Sequence, residues 1–431
     1  MNRREFSLAE EYRYNRSEPM RWIVSHILRY PLFVPLSIVM AVLHNYCYGV
    51  TQVLIGRAFD LITQASWEVR ALAALAALAV AANVAQSVTD IVRNFATEFL
   101  AQRMERDARD ELYLSLLGKS QTFHGKQRIG DIMARATNDV RMLNYMISPG
   151  LMLIIDSLMA TVVPTLMILQ IKAELTLTPL LFVALFAATL ADYNRRLSPV
   201  SIAGREQFGV MNAGLAEAIS GIEVVKANAQ EAQEKARFVQ NARRFRGLFV
   251  KQGDIQALYL PMLAFSFALA GGFLHALLLW QGGEITLGQA VAFMGLLSTL
   301  RYPTSMSIFS FNQVQLGLAS ARRILELINT ETELDENPSG VDQPIRGDVA
   351  FQEVSFSYNG DKPTLQGITF AAHQGETIAI VGQTGSGKTT LTRLINRIFD
   401  AEQGRVLVDG IDVRDWRLES LRSQISTIEQ D

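Results

Sequence analysis

YPLFVPLSIVMAVLHNYCYGVTQVLIG, residues 30–56, contains no Asp, Glu, Lys or Arg. A helix crosses the hydrocarbon core of a bilayer with about 20 apolar residues, so this run is long enough to span. Five more blocks share its character. Residues 71–89 carry no charge, and residues 142–171 are interrupted only by Asp156. Residues 175–191 and 255–283 are charge-free, and residues 285–321 are broken only by Arg301. Buried helices of a soluble protein would show a polar face at helical spacing, which these blocks lack. The expected architecture is a membrane all-α six-helix transmembrane domain over residues 1–328, with spans near 32–55, 71–92, 146–171, 175–195, 257–280 and 286–310.

The connections between blocks set the orientation. Arg57 and Arg70 are the only basic residues between the first two blocks, and Lys172 is the only one between the third and fourth. The other side is rich in them, beginning with Arg3, Arg4, Arg13, Arg16, Arg21 and Arg29. Basic loops stay on the cytoplasmic side. The reading is a multi-pass protein of the cytoplasmic (inner) membrane with both termini in the cytoplasm. No cleavable signal peptide is expected, because the first apolar run starts late and is too long.

Residues 18–30, EPMRWIVSHILRY, read as an amphipathic interfacial helix. Met20, Ile23 and Ile27 would share its apolar face, with Arg21, Ser25 and Arg29 on another. The two long cytoplasmic connections are rich in helix formers. A helix from Ala71 to Leu117 would be about 70 Å long and project far beyond the bilayer. Residues 192–251 read as a descending and a returning helix.

Bulk composition narrows the function. The chain is 49% hydrophobic and only 19% charged, whereas soluble domains carry about 25% charged residues. Lys plus Arg (40) and Asp plus Glu (42) nearly cancel, so no global field attracts polyanions and no nucleic-acid partner is expected. The single cysteine, Cys47, excludes an intrachain disulfide and a multi-cysteine metal site.

Residues 329–346 (NTETELDENPSGVDQPIR) are acidic, contain two prolines, and read as a linker. Beyond it the periodicity changes. DVAFQEVSF (348–356) and TLQGITFAA (364–372) alternate as strands, and TIAIV (377–381) reads as a buried parallel strand. GQTGSGKTT (382–390) then fits the phosphate-binding pattern G-x-x-x-x-G-K-[ST]. Gly382, Gly385 and Gly387 let the backbone approach phosphates closely, because no Cβ intervenes. The N–H groups of Gln383, Thr384, Ser386 and Thr390 and the amino end of the following helix would hold the anion. Lys388 would reach the β- and γ-phosphates, and the Thr389 hydroxyl would ligate magnesium. ATP and Mg2+ are the expected cofactors. Residues 347–431 thus read as the N-terminal part of an α/β P-loop NTPase domain.

Six membrane helices with long cytoplasmic extensions, followed by a P-loop domain, resemble an ABC exporter half-transporter. FSYNGDKPTLQGITF (356–370) is similar to the segment that stacks an aromatic residue, here Tyr358, on adenine. GRVLVDGIDVRDW (404–416) and LRSQISTIEQD (421–431) are similar to the family's segments beyond the P-loop, the second ending in the Q-loop with Gln430. Residues 122–140 and 220–238 resemble the two intracellular coupling segments. The resemblance implies catalytic roles for Lys388 and for Gln430, which would contact magnesium and the attacking water. It also implies a second half-transporter as partner, identical or different, in contact with membrane lipid. The transported substrate is not legible.

The chain ends at Asp431, one residue past Gln430. The resemblance places the signature motif, the catalytic glutamate and the switch histidine downstream. Residues 1–431 alone are therefore expected to hydrolyse ATP negligibly. The alternative reading is a truncated, non-hydrolysing membrane nucleotide-binding subunit.

Two charges stand out within the apolar blocks, Asp156 and Arg301. Charges at such depth face a partner or a water-filled cavity. Counted from their helix ends, they lie at similar depth, about 24 and 21 Å. They are expected to pair or to face one cavity, where Arg301 could contact an anionic group of a substrate.

Overall fold

The computed structural model describes residues 4–6, 12–64, 68–358 and 363–428. In chain order the helices are α1 (Pro19–Leu28), α2 (Phe33–Ile62), α3 (Val69–Leu117), α4 (Gln121–Lys126) and α5 (Ile129–Ile171). They continue with α6 (Leu177–Ser220), α7 (Ile222–Ala227), α8 (Glu231–Ala257), α9 (Leu260–Gln281), α10 (Leu287–Ser298) and α11 (Arg301–Asn329). Past the linker come β1 (Val349–Phe356), β2 (Leu365–Ala372), α12 (Lys388–Ile395), β3 (Gln403–Val408), β4 (Ile411–Asp412) and α13 (Leu418–Ser423). These elements form two compact units. One holds residues 34–97 and 149–312; the other holds residues 1–33, 98–148 and 313–431.

Among the described residues, five helical stretches are long and apolar enough to cross a membrane: Phe33–Ile62, Val69–Leu117, Ile129–Ile171, Ala173–Ser220 and Glu231–Gln281. The sixth expected span, 286–310, is not one helix. It divides into α10 and α11 at Thr299 and Leu300. Pro303 supplies the reason, since it has no N–H for the Thr299 carbonyl and its ring crowds that position. The junction tightens instead, with Leu300 N–H on Leu297 O at 3.2 Å and Tyr302 N–H on Thr299 O at 3.1 Å. At 12 residues, α10 is about 18 Å long and does not cover the core by itself. The long helix expected over residues 71–117 is present: α3 runs unbroken for 49 residues, about 74 Å, with neither Gly nor Pro to stop it.

The first unit is built around α10. Phe293, Leu296 and Leu297 of that helix are fully buried with Ile168 and Leu175. Close approach depends on small residues. A Cβ on Gly56 of α2 would lie 2.3 Å from the Gly288 carbonyl, and one on Gly288 would lie 2.0 Å from the Gly56 carbonyl. The Asp60 carboxylate accepts from Gly288 N–H and from the Thr286 hydroxyl, both at 2.7 Å, and so caps α10. The expected descending and returning helices are α6 and α8. They run antiparallel, with Phe208 against Phe245 (5.4 Å between centroids) and Arg237 on Glu217 at 3.2 Å.

In the second unit, α1 starts with proline in its first turn, where the missing N–H costs nothing. Its buried face is Trp22, Ile23 and His26, which corrects the expected grouping: Met20 is 55% exposed. The buried carboxylate of Glu111 is the cause. It needs donors, and takes Trp22 Nε1–H at 2.8 Å and Arg16 Nε–H at 2.5 Å. Met20, Val24 and Leu28 form an exposed apolar stripe instead, as suits a helix lying in an interface.

The sheet has the order β2-β1-β3-β4, antiparallel throughout. Its ladder shifts register beside Glu353 (φ 50°). Gly404 on β3 (φ +79°) makes room, because a Cβ there would lie 2.4 Å from the Gln352 and Glu353 carbonyls. Phe351, Val354, Val406, Val408, Leu394, Trp416 and Leu421 close the core. TIAIV differs from expectation. Residues 377–381 form no strand, and Val381 is 89% exposed. A central parallel strand is defined by the strands on either side of it, and among the described residues none lies beside this segment.

Candidate functional site

The P-loop sits between residues 377–381 and α12. Gly385 and Gly387 adopt φ of +84° and +90°, a region that only glycine enters freely. A Cβ on Gly382 would lie 2.7 Å from Ser386 Oγ, and one on Gly387 would lie 2.7 Å from Leu365 Cδ2. The loop is therefore a cradle that larger residues would fill. Lys388 opens α12 and folds back over it, its Nζ donating to the carbonyls of Gly382 (2.9 Å) and Gln383 (2.8 Å). Gln383, Thr384, Ser386 and Thr389 are exposed around it. Thr390 differs from its neighbours. It is buried, and its hydroxyl is 3.0 Å from the Tyr358 hydroxyl. Tyr358 is 40% exposed and packs edge-on against Phe356 and Phe399 at 5.0 and 5.3 Å. One face of an aromatic ring is thus fixed above the start of α12. Gln430 lies outside the described residues.

A second site lies inside the first unit. A cavity of about 580 Å³ is lined by residues of α2, α3, α5, α10 and α11. Asp156 and Arg301 both line it, together with His44, Gln86, Arg93 and Tyr302. The two expected charges share a cavity and do not pair. Asp156, only 4% exposed, is instead bound through Oδ1 by Arg93 of α3. Arg93 also holds Asp90, one turn earlier on the same helix. Sequence reading missed Arg93 because it counted as a cytoplasmic loop charge. The available signal was that α3 continues without a break, which keeps Arg93 on the helix that carries residues 71–89.

A model of the ABC transporter transmembrane region matches residues 34–304, and the ABC transporter model matches residues 365–431. The first alone takes in more than half the chain. The chain belongs to the ABC transporter family. The ATP-dependent lipid A-core flippase of Syntrophus aciditrophicus (strain SB) is 30% identical over 77% of this chain and 56% of that protein. The fatty acid ABC transporter ATP-binding/permease protein of Mycobacterium bovis is 32% identical over 76% of this chain and 52% of that one. The chain spans about half the length of these curated relatives. Its fold is similar to a bacterial Atm1-family ABC exporter solved with ATP bound, at TM-score 0.68 and 24% identity, over 91% of this chain and 70% of the other.

In this member of the ABC transporter family a membrane region precedes an ABC domain, in a multi-pass membrane protein. The first segment that resembles a coupling element, residues 122–140, is anchored at its end. Asp139 accepts from Arg323 of α11 through both oxygens, at 2.9 and 2.5 Å, and Arg135 donates to the Arg323 carbonyl at 2.9 Å. The second, residues 220–238, is the turn between α6 and α8, where Ile222 and Val224 are exposed.

Proposed function

We propose that the chain is the ATP-driven exporter half of a dimer in the cytoplasmic membrane, with its termini in the cytoplasm. The observation that carries this reading is the P-loop cradle in the same chain as a charged cavity among apolar helices. The cradle fits a nucleotide: two glycines at positive φ, two positions that a Cβ would fill, and a lysine across the loop. Lys388 would neutralise phosphate charge, with Gly382, Gln383, Thr384, Gly385, Ser386, Gly387 and Thr390 shaping the loop. Thr389, exposed at the start of α12, would ligate Mg2+, with Gln430 as a second contact. Tyr358 would offer its ring to the adenine. Bound ATP supplies the free energy of export, normally with Mg2+.

The role of the chain's own residues is to orient and transmit. Tyr358 bonds Thr390 in the first turn of α12, so the base-facing ring and the phosphate-facing helix move as one. Asp139 and Arg323 tie a coupling segment to α11, the helix that leads into the linker. A second half-transporter, identical or different, completes the assembly. The test is ATP-dependent accumulation of a fluorescent lipid or of the dye Hoechst 33342 in inside-out vesicles. In an assembly that carries the downstream signature motif and catalytic glutamate, wild-type protein accumulates one of them and Lys388→Ala does not. Accumulation by that variant at the wild-type rate refutes the reading.

A further inference from the structure

The C-terminal end of α3 carries a contact that neither the nucleotide site nor the coupling segments use. Glu5, ahead of α1, donates its N–H to the Gly118 carbonyl at 2.9 Å, one residue past α3. Gly118 is buried, and a Cβ on it would lie 2.8 Å from the Phe6 carbonyl. Its φ is not positive, so glycine stands there to admit this N-terminal arm and not to turn the chain. The Glu5 side chain, 10% exposed, reaches the ABC domain, where its Oε2 accepts from Arg422 Nη1 of α13 at 2.7 Å. Arg422 turns its other nitrogens to the end of α12. Nη2 donates to the Arg397 carbonyl at 2.8 Å and Nε to the Asn396 carbonyl at 3.1 Å, satisfying acceptors that a helix end leaves open. Arg397 adds a second buried guanidinium. It sits just past α12 at φ 50°, where glycine is usual, and its Nε donates to Asp400 at 2.9 Å. Burial raises the Glu5 pKa, and Arg422 and then Arg397 oppose that shift. Arg397 Nη1 and Glu5 Oε1 are both buried, and neither has a hydrogen-bond partner among the described residues. Buried polar atoms are normally paired, and here one is a donor and the other an acceptor.

We propose that the N-terminal arm is a strap that couples the nucleotide site to the end of α3, with Glu5 and Arg422 as positioning residues for ATP binding. The link is α12. The phosphate cradle lies at its first residue, Lys388, and the Arg422 contacts lie just past its eighth and last, about 12 Å away. Phosphate held at the amino end of a helix draws on its N–H groups, and a helix of two turns moves as one piece. The displacement arrives at the Asn396 and Arg397 carbonyls, passes to Arg422, and reaches Gly118 through Glu5. The next residue, Lys119, donates to the Ile328 and Thr330 carbonyls at the end of α11. One turn of chain thus meets the ABC domain through the arm and holds the end of α11 directly. The unpaired Glu5 Oε1 and Arg397 Nη1 give the strap a tighter position, in which one carboxylate holds both guanidinium groups. ATP binding and closure of the strap therefore favour each other. That ATP is the trigger rests on the nucleotide reading above; that Glu5 clasps Arg422 does not.

The experiment uses the full chain in nanodiscs of phosphatidylcholine. Affinity is read with the fluorescent nucleotide TNP-ATP, and the arm by amide hydrogen exchange of a peptide covering residues 4–6, with and without ATP. Glu5→Gln weakens nucleotide binding about tenfold, toward the low end of coupling between sites. Gly118→Ala, whose added Cβ meets the Phe6 carbonyl first, does the same by displacing the arm. In wild-type protein ATP slows exchange of the arm by the same factor, because coupling between two sites is reciprocal. Lys388→Ala leaves the arm protected and removes the effect of ATP on it. Wild-type affinity in either folded variant overturns the proposal. So does arm exchange that ATP leaves unchanged, which is the behaviour of a contact that only lends stability. Absence of nucleotide binding by wild-type protein sinks the nucleotide reading and the coupling together, whereas binding that ignores the arm sinks the coupling alone.

Discussion

The P-loop and the membrane cavity are both built around basic side chains, and they treat them in opposite ways. Lys388 lies across an exposed loop and donates hydrogen bonds to two backbone carbonyls of that loop. Arg93 is buried against a carboxylate from another helix, and Arg301 has no partner among the described residues. One site is mostly local: nine successive residues make its loop, and Tyr358 joins them. The other draws on helices spread from His44 to Ser305. A local site tolerates most change elsewhere in the chain, whereas a dispersed one fails when any contributing helix shifts.

The largest effect should come from breaking the dispersed site at its buried pair. Arg93→Ala leaves the Asp156 carboxylate uncompensated, and we expect a loss of about 3–5 kcal/mol in stability, read from unfolding in detergent. Arg93→Met combined with Asp156→Leu should recover most of it. A cycle between Asp156→Asn and Arg301→Gln should instead be additive, since those two side chains share a cavity without touching. Coupling in that second cycle would mean that the charges pair after all.

Next in size is the local site. Lys388→Ala should weaken ATP binding by about a hundredfold, the upper range for a charged hydrogen bond, as measured with a fluorescent nucleotide. Melting of the membrane unit should not change. Loss of both together would erase the distinction between the two sites.

Tyr358 sharpens the comparison further, because it couples two neighbouring parts of the local site. Tyr358→Phe strands the buried Thr390 hydroxyl and should cost about 1 kcal/mol of stability. Tyr358→Ala should in addition weaken ATP binding by removing the ring face. Unchanged affinity in the alanine variant would make Tyr358 an ordinary strand-end aromatic.

A further effect concerns pH. Lys119 donates to the carbonyls of Ile328, at 3.0 Å, and Thr330. Burial, reinforced by Arg4 and Arg16, pushes its pKa down from 10.5 to about 8. The folded state therefore binds fewer protons than the unfolded state between those values, so stability rises with pH through that window. The denaturation midpoint should climb from pH 8 to pH 10 in wild-type protein and climb less in Lys119→Met. Equal slopes would show that Lys119 is solvated in the folded protein.

How far the sequence carried the reading obeys the same divide. The P-loop was legible because its glycines, lysine and threonine are adjacent, and adjacency fixes their geometry. The apolar spans were legible because hydrocarbon selects composition before tertiary contacts matter. Asp156 and Arg301 were found as anomalies against that composition, and depth along the helices placed them in one cavity. Arg93 was invisible as a partner, since only the uninterrupted course of α3 keeps it in the membrane unit. TIAIV misled for the converse reason: its residues suit a buried strand, but a strand exists only beside another. The face of α1 was misassigned because Glu111, 89 residues from Trp22, decides which side is buried.

The contact between Gly56 and Gly288 has a consequence in time. Asp60, which caps α10 there, precedes its partner Thr286 by 226 residues. At a synthesis rate of about 5–20 residues per second, Asp60 leaves the ribosome roughly 11–45 s before Thr286 exists. Throughout that interval the C-terminal end of α2 has a carboxylate with nothing to cap and a glycine surface with nothing against it. The membrane unit therefore cannot mature helix by helix in the order of translation. Its first span stays open to exchange until one of the last helices inserts, and that late insertion closes the fold.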